Sequence, residues 1–121
     1  MNIELTINGI DFSRKLSTYR VTQEVTYDKV LNTIDGKELA VGKRVRDVVS
    51  FSLFPLTENE SEIYYSALTD STIVAKYTKN GTTTEEMRLA SNLESAFLLN
   101  SVDGQRRYKG GEIVLRSINA N

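Results

Sequence analysis

The stretch Arg44-Val45-Arg46-Asp47-Val48-Val49-Ser50-Phe51-Ser52-Leu53-Phe54-Pro55 decides the fold class. Val45, Val49, Phe51 and Leu53 share one face at a period of two, with Asp47 between them, which is the pattern of a strand with a buried side. Val48 and Phe54 add apolar character to the other face, so this strand is expected to be central and covered on both sides. Pro55 ends it, because proline cannot donate to a ladder. Directly after it, Thr57-Glu58-Asn59-Glu60 has the form of a capping box. Ile63, Tyr64, Ala67 and Leu68 follow at helical spacing, predicting a helix from about Glu58 to about Thr69.

Upstream, Ile3, Leu5 and Ile7 alternate with polar residues and run into Asn8-Gly9, a tight-turn dipeptide. A return begins at Asp11-Phe12, and the stretch to Ser17 is ambiguous. Tyr19, Val21, Val25 and Tyr27 define one face of a strand over Thr18–Tyr27, with Gln23 the exception on that face. Asp28 to Lys43 has no sustained period. It reads as a long connection, of the kind that is often functional, or else as a mobile, solvated loop or a short hairpin with Asp35-Gly36 at its tip. Downstream, Ser71–Lys79 and Thr82–Leu89 form a hairpin around Asn80-Gly81. Ser91–Leu99 reads as a short helix or a pinned loop. Asp103-Gly104 marks a turn, and Gly111–Ile118 reads as a last strand.

The expected architecture is therefore mainly β. It is an antiparallel sandwich or barrel of about six strands with one flanking α-helix near residues 58-69, in a single β-rich domain over 1-121. The length of 121 residues suits one such core.

Composition narrows the chemistry. The chain has no cysteine and no histidine, so Ser-His-Asp and Cys-His constellations and thiolate metal sites are excluded. Fifteen basic residues against sixteen acidic ones give a net charge of −1, which makes nucleic acid an unlikely partner. No membrane span, secretory leader, phosphate-binding glycine motif or calcium loop is present in the pattern. The expectation is a protein made in a cytoplasm, with no enzyme activity, no cofactor, no metal and no small-molecule substrate.

The acids of Glu58, Glu60 and Glu62 are explained by helix capping and the helix dipole, and Glu85-Glu86 must point to opposite faces of a strand. Asp47 needs a partner if buried; Arg44 and Arg46 are near in sequence but point the other way. Gln105-Arg106-Arg107-Tyr108-Lys109-Gly110-Gly111 is the one local basic cluster, readable as a binding loop or as a solvated turn before the last strand. Candidate partner contacts are Asp35, Lys37, Lys43, Arg44, Arg46, Arg106, Arg107, Tyr108 and Lys109.

The chain resembles a family of small phage and prophage proteins encoded with tail genes in Gram-positive bacterial viruses. The features are an opening strand ending in Ile7-Asn8-Gly9 with Asp11 just after, then Leu16-Ser17-Thr18-Tyr19-Arg20-Val21. Lys43-Arg44-Val45-Arg46 follows the polar connection, and Phe51-Ser52-Leu53-Phe54-Pro55-Leu56-Thr57 leads into the helix that ends in Ala67-Leu68. An extended pair around Thr72 to Tyr77 completes the likeness. The sequence departs from the family near its end, where Gln105-Arg106-Arg107-Tyr108 stands in place of a more aromatic stretch. The resemblance covers nearly the whole length and brings no catalytic residues. It implies a structural or assembly role in a virion tail, through contacts with copies of itself and with other tail proteins, of a kind that often assembles into rings. The virion would be its site of residence, and the host cytoplasm its location before assembly. The competing expectation is a stand-alone β-barrel that binds nucleic acid or carbohydrate, which requires Tyr19, Tyr27, Tyr77 and Tyr108 to gather beside the Arg106–Lys109 cluster.

Overall fold

The structure is a computed structural model that describes residues 3–93, 96–98 and 107–119, with the backbone alone described for 96–98. In chain order the strands are β1 (Leu5–Ile7), β2 (Ile10–Asp11), β3 (Leu16–Asn32) and β4 (Glu38–Leu53), followed by helix α1 (Glu58–Leu68). Then come β5 (Ile73–Thr78), β6 (Thr82–Leu89), β7 (Ala96–Leu98), β8 (Arg107–Lys109) and β9 (Ile113–Ser117). A single turn of 3₁₀ helix at Ser13–Lys15 links β2 to β3. Among the described residues, seven strands form one antiparallel sheet in the order β2-β1-β5-β6-β9-β4-β3, and β7 pairs with β8 separately. The mainly β class with one helix is as the alternation implies, and the sheet is not closed into a barrel.

The inner face is set by strand alternation. Leu5 and Ile7 of β1, Ile73, Ala75 and Tyr77 of β5, Met87 of β6, Ile113 and Leu115 of β9 and Val49, Phe51 and Leu53 of β4 are all buried on it. Ala67 and Leu68 of α1, with Phe12 and Leu56 from the connections, complete the same core. The Phe12 ring stands edge-on to Phe51 at 5.9 Å and to Tyr64 of α1 at 4.7 Å, so it joins sheet to helix. The sheet curls strongly. Tyr19 on edge strand β3 donates its hydroxyl to the Thr78 carbonyl on β5 at 2.5 Å, although β6, β9 and β4 lie between them in the order.

Turn chemistry matches the sequence in two places. Asn8 and Gly9 both take positive φ, at 49° and 82°, as the tight β1–β2 turn requires. The capping box is complete: the Glu60 amide donates to Thr57 Oγ1 at 3.3 Å, and the Thr57 amide donates to Glu60 Oε1 at 3.1 Å. Lys15 Nζ reaches the other Glu60 oxygen at 2.5 Å, which fastens the helix start to the 3₁₀ turn.

Three expectations need correction. Asp28 to Lys43 is no unstructured connection: the hairpin reading holds, with Asp35-Gly36 at its tip, but the hairpin is not short. It is the distal part of a long ribbon, in which β3 and β4 stay paired from Leu16↔Leu53 to Asn32↔Glu38. The reading failed because neither face of this ribbon is buried within the chain, so burial imposes no period on its residues. Phe54 is half exposed and does not lie under a second layer. Arg107, Tyr108 and Lys109 form strand β8, whose Tyr108 exchanges backbone hydrogen bonds with Leu56, rather than a turn. Arg106 and the turn at Asp103-Gly104 lie outside the described residues, as does part of Ser91–Leu99, of which Ala96–Leu98 is strand.

Candidate assembly surface on the hairpin arm

β4 pairs with β9 only over Val48–Phe51. Beyond that point β3 and β4 continue together, away from the sheet, as a two-stranded arm. From Gln23 to Asn32 the arm spans roughly 30 Å at strand rise. Every residue from Val25 to Arg44 is exposed.

The register sorts the arm into two unlike faces. Val25 pairs with Val45, Tyr27 with Lys43, Lys29 with Val41 and Leu31 with Leu39. Cross-strand partners project to the same side, so these form one face, continuous with the buried inner face of Val21 and Val49. Val25, Tyr27, Leu31, Leu39 and Val41 are each 44 to 51% exposed there, an apolar stripe with Lys29 and Lys43 set diagonally within it. Among the described residues neither lysine has a carboxylate partner. The opposite face is polar, carrying Thr26, Asp28, Asn32, Glu38 and Arg44 together with Val30 and Ala40.

Midway, Gly42 takes φ +76°, and a Cβ built on it would lie 2.7 Å from Asp28 Cγ. The bare glycine lets the Asp28 side chain cross the opposing strand and receive Arg44 Nε at 2.9 Å and Nη2 at 3.4 Å. That hydrogen bond raises the Arg44 guanidinium above its ordinary range. At the tip, Ile34 is fully exposed and Gly36 has φ +84°. The Thr33 amide donates to the Lys37 carbonyl at 2.7 Å, and the Thr33 hydroxyl bonds the Asp35 carboxylate, holding it below its usual value.

The arm is anchored at its base by a polar cluster centred on buried Asp47 and Tyr77. Asp47 is 8% exposed and pairs with Gln23 across the ladder. Tyr77 Oη donates to Asp47 Oδ2 at 2.6 Å and lies 3.1 Å from Glu85, while Lys79 Nζ donates to both Asp47 oxygens at 3.0 and 3.1 Å. Burial alone raises the Asp47 carboxyl, but the Tyr77 hydroxyl and the Lys79 ammonium outweigh it and hold the group below 3.8. Burial and the two neighbouring carboxylates push the Tyr77 hydroxyl far upward, so it stays protonated as a donor. An open hollow of about 440 Å³ beside this cluster lies between β3 and the β5–β6 turn, where the sheet fails to close.

The candidate contacts fall into two groups. Asp35, Lys37, Lys43 and Arg44 lie on the arm, and Arg46 lies on the outer face beside it, paired with Glu24 in the ladder. Arg107, Tyr108 and Lys109 belong to the β7–β8 pair, which joins the chain beyond the far end of β4 at Leu56. About 23 Å of strand separates Arg46 from Leu53 at that end, so the two groups do not merge. Tyr77 is buried, Tyr19 reaches β5 beside it, Tyr27 is on the arm and Tyr108 is on β8, so among the described residues the four tyrosines do not gather beside Arg107–Lys109. Among the described residues no cluster of His, Cys, Asp or Glu is placed to hold a metal, and no helix is long and apolar enough to cross a membrane.

No protein-family model matches the chain. No curated protein matches it either. Among solved structures, the fold is similar to a chain from the virion of a native gene transfer agent particle, with a TM-score of 0.63 at 11% identity. The match covers 98% of this chain and 92% of that one, so the likeness extends over the whole described fold.

Proposed function

We propose that this protein is a non-enzymatic structural component of a phage-like virion, of the tail region, which assembles with copies of itself through the hairpin arm. The observation that carries the reading is the apolar stripe of Val25, Tyr27, Leu31, Leu39 and Val41 on a ribbon where each of them is about half exposed. An isolated two-stranded hairpin is at best marginally stable in water. An exposed apolar stripe with charges set into it, as here, marks a contact site. Both edges of the arm also offer unpaired backbone groups, the template on which another chain adds. The similarity of fold to a virion chain supports the same reading.

Assembly of this kind suits a ring. An arm projecting from one side of a compact body makes a heterologous contact, and repeated heterologous contacts close into a ring or run on as a filament. The test is light scattering coupled to size exclusion over a concentration series, on the wild type and on Leu31→Ser/Leu39→Ser. A defined oligomer that falls to monomer in the variant is the expected result. A wild type that stays monomeric at every concentration overturns self-assembly.

A further inference from the structure

Within one chain, Ala67 and Leu68 of α1 pack into the core on the inner face of the sheet. The arm continues that same face outward with no described residue packed beneath it. Its underside is unusual in carrying Lys29 and Lys43 among the apolar residues, without acidic partners among the described residues. Whatever covers the arm must therefore offer apolar surface and carboxylates together, since burying unpaired ammonium groups is costly.

The outward side of α1 offers both. Ala67 and Leu68 face the core, and Glu60 is turned inward to Thr57 and Lys15. The exposed stripe is Glu58, Asn59, Glu62, Ile63 and Ser66, with Ile63 at 53% exposure. Glu58 and Glu62 are one helical turn apart, on one side, and neither has a cationic partner among the described residues. The outer face of the sheet is a poorer match, because Arg88 and Arg116 stand directly opposite each other there and the partner of Arg116 is Glu24 at 2.9 Å.

We infer that the arm of one copy lies across the exposed face of α1 of a second copy, with Lys29 and Lys43 set against Glu58 and Glu62 and the apolar stripe set against Ile63. This rests on the self-assembly reading above and names its partner surface. The contact stacks sheet, helix and arm as three layers, the second copy's helix filling under the arm the place that α1 fills under its own sheet.

The test uses two full-length variants, Lys29→Glu/Lys43→Glu and Glu58→Lys/Glu62→Lys, with circular dichroism to verify that each is folded. Each alone sets like charge against like charge at every junction, and its self-association is expected to weaken by roughly tenfold or more at low salt. A 1:1 mixture of the two restores opposite charge at every junction and is expected to recover assembly. Variants that assemble like the wild type overturn the inference. So does a mixture that stays dissociated. If Leu31→Ser/Leu39→Ser still dissociates the protein in either case, the arm is the contact and α1 is not its partner. If the wild type itself never associates, the self-assembly reading falls, and this inference with it.

Discussion

The Tyr77 hydroxyl donates to the Asp47 carboxylate at 2.6 Å, which ties β5 to β4 across the two strands that separate them in the sheet. Asp47 lies where β4 leaves its pairing with β9, so this bond holds the root of the arm against the body. Asp47→Ala removes the carboxylate that Lys79 and Tyr77 share, leaves Tyr77 with Glu85 alone, and is expected to cost about 2 kcal/mol in urea unfolding. Tyr77→Phe keeps the Lys79 pair and is expected to cost about 1 kcal/mol.

The same carboxylate gives a pH dependence with a definite sign. Its folded value is depressed below 3.8, so its contribution is fully present above that pH and is lost as pH falls through the folded value. The stability difference between the wild type and Asp47→Asn is therefore expected to be constant from pH 7 to about 5 and to shrink toward pH 2. Chemical denaturation across that range measures it. A difference that grows on acidification contradicts the assignment.

Gly42→Ala places a Cβ against the Asp28 side chain at a positive φ. The expected cost is about 1–2 kcal/mol, local to the arm. Faster amide hydrogen exchange over 29–41, with exchange in β5 and β6 unchanged, is the measurement that checks it.

Thr57→Ala removes one half of the capping box and leaves the Glu60 amide without its acceptor. A loss of about 1 kcal/mol is expected. The effect on assembly is expected to be small, because the substitution leaves the exposed side of α1 as it is.

The parts legible in the sequence are those where burial acts on one face. Val49, Phe51 and Leu53 alternate because every second residue enters the core, and Thr57 with Glu60 announces the helix because orphan amides need acceptors. The arm was legible only at its base, where Val25 and Tyr27 continue the alternation of β3; its distal part was not, since Leu31, Leu39 and Val41 meet no core of their own and are interrupted by Lys29 and Lys43. The anchor was half legible. Gln23 and Asp47 each break an apolar face, and they prove to be cross-strand partners. Tyr77 and Lys79, the groups that satisfy Asp47, lie 30 and 32 residues away, beyond the reach of any local pattern.

The pairing order also sets a schedule for the growing chain. β3 and β4 are neighbours in sequence, joined by a five-residue tip, and can zip as soon as both leave the ribosome. β9, which flanks β4 on its other side and joins it to β6, emerges only after α1, β5 and β6. During that interval the apolar underside of β4 has no finished core to enter. Lys29 and Lys43 place like charges within that stripe, and a charge set in an exposed apolar strand disfavours face-to-face pairing of unfinished ribbons.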